Sequence, residues 1–231
     1  MTSSTLAPAA RRAFSEFLGS ALLAATVVGS GIAASQLSPG DVGLQLLENA
    51  ISTALGLAVI ILILAPVSGA HLNPVVSIAD AAFGLRSWAE VSRYIPAQIL
   101  GCIGGAILAN LMFGEQAVQF STTDRLTWPH ALAEVVATAG LVLVIFSLAR
   151  SGRASLAPIA VGAYIGAAYF FTSSTSFANP AITIGRMFSD TFAGIAPGST
   201  LGFIAAQLVG GVIGFVTVRV LYPRRLPHAA V

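Results

Sequence analysis

Long stretches without a charged residue are the feature that most constrains how this chain can fold. Six occur, at 17–40, 49–79, 94–114, 135–149, 154–185 and 191–218. A helix that spans a membrane needs about 20 apolar residues, and all of these windows except the shorter 135–149 reach that length. Only 9% of the residues are charged, against about 25% in an average soluble domain. The sequence therefore predicts an all-α membrane protein whose main solvent is lipid.

We predict six membrane-spanning helices, at 13–34, 42–65, 88–112, 130–149, 155–172 and 198–221. The first follows Arg11 and Arg12 as a signal peptide would, but its apolar run is long and contains Glu16, which favours a retained helix. Windows 49–79 and 154–185 exceed one helix, and each continues into a segment that is rich in Ser or Gly and contains an Asn-Pro pair. Such backbone at membrane depth is tolerated only where it is buried in protein or lines a water-filled cavity.

The distribution of arginine predicts the orientation in the membrane. All eleven basic residues are arginines. Six alternating spans leave only Arg125 and Arg186 on one side of the membrane. The positive-inside rule therefore predicts that both termini are cytoplasmic, in the inner (plasma) membrane. The predicted cytoplasmic side of the membrane carries the remaining nine arginines, which are Arg11, Arg12, Arg86, Arg93, Arg150, Arg153, Arg219, Arg224 and Arg225.

Composition also argues against several functions. The formal net charge of +2 is too small to indicate a nucleic-acid partner. The single cysteine, Cys102, rules out an internal disulfide and lies in an apolar stretch, where packing explains it. We find no metal-ligand spacing, no nucleotide-binding loop and no nucleophile–base pair. We therefore expect no metal, no cofactor and no enzymatic activity.

The chain reads as a single membrane domain, 1–231, made of two repeats at 13–112 and 130–221. With three spans in each half, the second repeat must lie inverted in the membrane, which is an architecture of transport proteins. Glycines that follow each repeated Gln either pack helices within one subunit, which we favour, or join subunits. The matched features are Ala13-x-x-Glu16 with Ala131-x-x-Glu134, Ala97-Gln98 with Ala206-Gln207, and Gly101 and Gly105 with Gly210 and Gly214.

Each Asn-Pro pair is a helix start, because Asn is a strong N-cap and Pro is favoured at the first helical position. Asn73 and Asn179 should cap short half-helices at 74–82 and 180–188. Capping occupies the side-chain oxygen, and we expect the amide NH2 to remain free for the lumen. Two inverted half-helices would meet at their N-termini, each with roughly half a positive charge. A cation would meet a barrier there, whereas a neutral polar solute would find hydrogen-bond donors.

The two loops resemble the signature loops of the major intrinsic protein (aquaporin and aquaglyceroporin) family. They read Ser68-Gly69-Ala70-His71-Leu72-Asn73-Pro74-Val75 and Phe177-Ala178-Asn179-Pro180-Ala181. The resemblance covers about 13–221 and implies six tilted helices, two half-helices and a homotetramer with one pore per subunit. It implies a passive channel for water and small uncharged solutes. The implied pore centre is Asn73, Pro74, Val75, Asn179, Pro180 and Ala181.

Three polar residues within the spans and loops gain roles from this resemblance. It implies that Glu16 and Glu134 brace the loops that hold the half-helices. The alternative is that both carboxylates sit near helix ends and reach interfacial water. His71 is expected to orient its loop, and a proton-sensing role is the alternative.

The sequence departs from the family pattern after the second motif. Members usually have an Arg there, in the outer constriction called the aromatic/arginine filter, whereas this chain has Ile182. By distance to the motifs, the filter positions correspond to Thr53, Tyr169, Ser176 and Ile182. Arg brings five donors and a fixed charge, and Ile brings neither. The constriction should therefore be less polar and admit larger neutral solutes.

Arg186 lies four residues after Ile182 and so shares its face of the half-helix. One hypothesis is that Arg186 partly replaces the missing charge at the outer mouth. The alternative, which the i,i+4 spacing favours slightly, is an ion pair with Asp190.

A filter without Arg also resembles that of bacterial aquaglyceroporins found with arsenic-resistance operons. This resemblance adds arsenous acid, a neutral polyol-like molecule, to glycerol and urea as a possible solute. Two other functions stay open at this point. One is an ion-coupled transporter, for which Glu16 and Glu134 would be the coupling sites, and the other is a structural membrane protein of low permeability.

Overall fold

The computed structural model describes residues 8–223 and confirms the all-α fold. Six of its helices are long and apolar enough to cross a membrane, and two short ones lie between them. Arg224 and Arg225, which contributed to the predicted orientation, lie outside the described residues. The helices are α1 Pro8–Leu37, α2 Val42–Ser68, α3 Pro74–Ala82, α4 Trp88–Met112, α5 Trp128–Arg150, α6 Ala157–Phe171, α7 Pro180–Gly185 and α8 Pro197–Leu221.

Several helix ends differ by a few residues from the sequence-based expectation, and two of these differences adjoin the Asn-Pro segments. The second span continues beyond residue 65 to Ser68 and ends where Gly69 takes a left-handed conformation with φ 92°. Gly adopts this conformation without strain, and its N–H bonds back to Ala65 O at 3.0 Å. The second half-helix is α-helical only to Gly185 and continues as a tighter 3₁₀ turn at Arg186–Phe188. In this turn the Arg186 carbonyl accepts from Ile195 N at 3.3 Å, outside the helix.

The glycines that follow each repeated Gln pack helices within one subunit, as we favoured. A Cβ on Gly105 of α4 would overlap the carbonyl oxygen of Ala21 in α1. In the second repeat, a Cβ on Gly214 of α8 would lie 2.7 Å from Ala139 O in α5. The same close approach therefore joins the first and third spans of each half.

The two short helices pack against spans from the opposite repeat. A Cβ on Gly185 of α7 would lie 2.7 Å from the backbone of Cys102 in α4. A Cβ on Gly211 of α8 would lie 2.5 Å from Val75 in α3. Each half-helix thus contacts both halves of the chain, and this joint packing places the two Asn-Pro motifs next to each other.

Candidate functional site

Two buried glutamates hold the loops that precede the half-helices. Glu16 is 0% exposed, and its carboxylate accepts hydrogen bonds from His71 N at 2.9 Å and Leu72 N at 2.7 Å. It also accepts from Ser68 Oγ at 2.7 Å and Gln98 Nε2 at 2.8 Å. The interpretation that this carboxylate reaches interfacial water is therefore wrong, because four protein donors surround it inside the fold.

Glu134 repeats this arrangement in the second half. It is 0% exposed and accepts from Phe177 N at 2.9 Å and Ala178 N at 2.8 Å. Ser174 Oγ and Gln207 Nε2 each donate to it at 2.7 Å. Hydrogen bonds to an ionised acceptor are roughly twice as strong as neutral ones. The two carboxylates thus fix backbone that has no secondary structure of its own.

The loops that these glutamates hold contain backbone conformations that side chains other than Gly rarely adopt. Leu72 and Ala178, which directly precede the two Asn residues, have φ 52° and 47°. Such left-handed residues cost about 1–3 kcal/mol each in sparsely populated conformations and persist only where their surroundings enforce them. Ala70, Thr175 and Ser176 share the same region, with φ between 48° and 62°.

Asn73 and Asn179 cap the two short helices and also tie the two loops together. Each side-chain oxygen accepts from the backbone N–H two residues on, at 2.9 Å. Asn73 Nδ2 donates to Ala178 O at 2.8 Å, and Asn179 Nδ2 donates to Leu72 O at 2.7 Å. We had expected both N–H groups of each amide to be free for the lumen. One N–H of each is used within the protein, and the other remains without an acceptor among the described residues.

A narrow cavity of about 60 Å³ runs past both motifs. Asn73 and Asn179 line it, and His71 and Leu72 do so beside them. Of the expected pore-centre residues, Pro74, Val75, Pro180 and Ala181 are buried but are not among its lining residues. Val75 instead packs on Gly211 of α8, because each residue of a helix turns the side chain about 100° around the axis.

The four residues that we matched to the filter line this same cavity. Thr53 Oγ1 and Tyr169 Oη are hydrogen-bonded across it at 3.1 Å. Ser176 Oγ is buried and has no hydrogen-bond partner among the described residues. Ile182 is 4% exposed and contributes an aliphatic side chain. This part of the cavity lining thus combines three hydroxyl groups with one aliphatic side chain.

His71 lies where the cavity approaches the side that carries most arginines. Its Nδ1 lies 3.0 Å from Ser77 Oγ, and its Nε2 lies 3.4 Å from Asp80 Oδ2. Arg86 Nε also contacts this carboxylate, at 3.1 Å, and Arg86 Nη1 lies 3.4 Å from Glu90 Oε1. His71 is therefore held between two side chains of α3, and the nearby cation Arg86 has carboxylate partners.

Arg186 lies at the opposite end of the cavity and has a different set of partners. It is 3% exposed, its guanidinium carbon lies 3.4 Å from the centre of the Phe177 ring, and its Nε donates to Ala193 O. The predicted ion pair between Arg186 and Asp190 is wrong. Asp190 Oδ1 instead accepts a hydrogen bond from Thr122 N at 2.8 Å, and no ion pair between Arg186 and Asp190 occurs among the described residues. The reason is the end of α7, whose 3₁₀ turn removes the i,i+4 geometry.

A second cavity, of about 170 Å³, lies beyond Arg186 and is called the outer vestibule below. Arg186 lines both this vestibule and the narrow cavity, so it stands at their junction. The vestibule is lined by Val42, Leu46, Asn49, Arg125, Thr175, Arg186 and Phe192.

Arg125 is the vestibule residue that sequence reasoning did not select. Its Nε donates to Gly194 O at 2.6 Å and its Nη2 donates to Phe192 O at 2.8 Å. Burial lowers the pKa of this guanidinium from its ordinary value. One signal was available in the sequence, because Arg125 and Arg186 were the two arginines that the alternation of spans put on the same, otherwise arginine-free side.

Comparison with known proteins identifies the family. The sequence profile of the major intrinsic proteins matches residues 3–178. The chain is 44% identical to aquaglyceroporin AqpS of Rhizobium meliloti (strain 1021) over 216 residues, which cover 93% of this chain and 92% of that protein. This chain belongs to the major intrinsic protein family.

Other members of the family are similar over nearly the same length. The chain is 33% identical to the glycerol uptake facilitator protein of Pseudomonas aeruginosa, with 93% of this chain and 90% of that protein covered. The fold is similar to that of the aquaglyceroporin from Plasmodium falciparum, with a TM-score of 0.70 at 23% identity over 91% of this chain and 95% of that one. The protein is thus a multi-pass membrane protein with the fold of this family.

Proposed function

We propose that this member of the family is a passive channel for water and small uncharged solutes, with glycerol and urea among them. The observation that carries the proposal is the narrow cavity past Asn73 and Asn179, which has hydrogen-bonding groups and no ionised side chain at its centre. Relatives described as an aquaglyceroporin and as a glycerol uptake facilitator support glycerol as a solute.

The centre of the channel is proposed to exclude cations. The N-termini of α3 and α7 meet there through the two Asn side chains. Each helix end contributes roughly half a positive charge, which opposes a cation or proton but leaves a neutral solute unaffected. The remaining N–H of each amide gives that solute a donor.

The filter is proposed to consist of Thr53, Tyr169, Ser176 and Ile182. The unpartnered Ser176 hydroxyl and the Thr53–Tyr169 pair can exchange hydrogen bonds with the hydroxyl groups of a polyol. Ile182 faces them with an apolar surface that suits the carbon backbone of the same molecule. Without a guanidinium at this position, the filter favours larger neutral solutes over strict water selectivity, and arsenous acid belongs to the same chemical class.

An ion-coupled carrier is the weaker candidate. Coupling would need a carboxylate free to exchange protons or cations at the bilayer midplane. Glu16 and Glu134 are each surrounded by four protein donors and are 0% exposed, which leaves neither carboxylate available.

The proposal includes the plasma membrane as location, cytoplasmic termini and a homotetramer. The arginines that gather at one end of the spans support the orientation through the positive-inside rule. Two fusions after Val231 test the orientation. A fluorescent protein that folds in the cytoplasm should be fluorescent, and a phosphatase that is active only in the periplasm should be inactive. Native mass spectrometry of the purified protein tests the tetramer.

The function itself is tested with purified protein in liposomes. Stopped-flow light scattering would measure water, glycerol, urea and arsenite entry side by side, with empty liposomes as the reference. We expect liposomes that contain the protein to take up glycerol faster than empty liposomes do. Glycerol entry equal to that of empty liposomes would contradict the proposed function, and arsenite entry equal to the reference would remove only that solute.

A further inference from the structure

The cations at the two ends of the channel have different partners. At one end, Arg86 contacts the carboxylates of Asp80 and Glu90. At the other end, the side chains of Arg125 and Arg186 donate hydrogen bonds to backbone carbonyl oxygens. Arg186 uses only Nε in this way, so its two terminal nitrogens have no hydrogen-bond acceptor among the described residues.

The unpartnered groups of Arg186 adjoin open space. The side chain lines both the narrow cavity and the outer vestibule, although the residue is only 3% exposed. A buried polar group without a partner is costly, and a buried charge is more so, unless it is paired. The four N–H donors on those terminal nitrogens therefore favour an acceptor in the vestibule, and an anionic one above all.

Arg125 strengthens this preference. Both guanidinium groups stack on Phe177, with their central carbons 5.6 Å and 3.4 Å from the centre of its ring. The Phe177 ring lies next to both cations and carries no charge that would neutralise them. Among the described residues, no carboxylate forms an ion pair with either guanidinium, and the loop carboxylates Asp190 and Asp124 accept from Thr122 N and Ser199 Oγ.

We propose that the outer vestibule binds a small monovalent oxyanion, such as nitrate or a short carboxylate, between Arg125 and Arg186. The volume of about 170 Å³ suits such an ion, because a single water needs roughly 10–15 Å³ of space accessible to its centre. A planar oxyanion matches the fork of donors on a guanidinium. Since Arg186 stands at the junction of the two cavities, the bound anion blocks the entrance to the pore. This consequence rests on the proposed channel function, whereas the binding itself does not.

Binding is tested on the full chain in detergent by calorimetric titration with nitrate. Nitrate is exchanged against gluconate, a bulkier anion, at constant ionic strength. We expect saturable binding in the wild type and binding weaker by about tenfold or more in both Arg125→Gln and Arg186→Gln, since each loses charge-assisted bonds. Arg153→Gln is the matched control, because Arg153 is exposed and bonds only to Ser151 Oγ. Unsaturable binding in the wild type, or unchanged affinity in both vestibule variants, would overturn the proposal.

The block is tested separately in liposomes. External nitrate should slow glycerol entry through the wild type and the Arg153→Gln variant, but not through a folded vestibule variant, Arg186→Gln or Arg125→Gln. An unchanged wild-type rate in saturating nitrate would overturn the block. Glycerol entry without nitrate reports on the channel function alone, so failure of the channel and failure of the anion site give different results.

Discussion

Asn73 and Asn179 cross-link the two halves of the chain through each other's loops. Asn73 Nδ2 donates to the carbonyl group just before Asn179, at 2.8 Å, and Asn179 Nδ2 donates to the one just before Asn73, at 2.7 Å. The two short helices are therefore fixed N-terminus to N-terminus by side chains that also cap them. At the centre of the cavity, the two loops and the two Asn side chains are thus joined by hydrogen bonds.

The first prediction concerns charge at this centre. In Asn179→Asp, the side chain keeps its acceptor role towards Ala181 N but loses the donor to Leu72 O and adds a negative charge. The charge offsets the positive helix ends, so proton and cation leakage should rise. A pH-sensitive dye inside the liposomes, followed after an acid pulse, measures this leakage.

The control is Asn110→Asp, because Asn110 also donates to a loop carbonyl, Phe188 O at 2.9 Å, but does not line the narrow cavity. Its leakage should stay at the wild-type level. Equal leakage in the two variants would contradict a central electrostatic barrier.

The second prediction concerns the buried carboxylates. In Glu134→Gln, one acceptor oxygen becomes an NH2 donor, which faces either Phe177 N–H at the Oε1 position or Ala178 N–H at the Oε2 position. An unsatisfied buried donor costs about 1–3 kcal/mol, so the thermal stability of the purified protein should fall clearly. Glu115→Gln, at an exposed position, should melt as the wild type does. Equal melting temperatures of all three proteins would contradict the bracing role.

The third prediction uses two neighbouring glycines of α4. Gly105→Ala puts a methyl group onto the backbone of Ala21, whereas Gly104→Ala enters open space. The first change should separate α1 from α4 and lower the yield of folded protein. The second should be neutral or stabilising, because Ala is favoured over Gly in a helix by about 1 kcal/mol. Thermal stability by fluorescence-detected size exclusion distinguishes them, and similar losses in both would contradict this helix packing.

The fourth prediction concerns the filter. Ile182→Arg would return a guanidinium to the cavity wall opposite Thr53 and Tyr169. Glycerol entry should fall by about tenfold while water entry changes less, because a charged and bulkier side chain rejects the larger solute. Ile182→Met preserves the apolar character and should keep glycerol entry. If the Arg variant has wild-type selectivity, Ile182 does not form the constriction.

The sequence was sufficient for the features that depend on local rules. Asn followed by Pro specifies a helix start wherever it occurs, so α3 and α7 could be predicted to begin at Pro74 and Pro180. The charge-free windows predicted the six long helices, because their length is set by the thickness of the bilayer. The matched Gly105 and Gly214 predicted close helix contacts within a subunit.

Features that depend on long-range contacts could not be derived in the same way. Nothing local to Asn73 indicates that its amide reaches Ala178, which lies 105 residues away. The spacing of Arg186 and Asp190 predicted an ion pair, yet the helix tightens into a 3₁₀ turn and the Arg186 side chain bonds to Ala193 in the loop beyond. Val75 follows the motif in sequence but faces α8, which only the packing of the two halves determines.

The temperature dependence of glycerol entry tests the central claim, that this protein is a passive channel, most directly. Entry into liposomes that contain the wild type would be measured by stopped flow between 5 and about 40 °C and over a wide range of glycerol concentration. A pre-formed cavity predicts a rate that rises only as steeply as diffusion in water and does not saturate. A steep temperature dependence together with saturation would indicate a carrier that changes conformation for each solute, and would contradict the account.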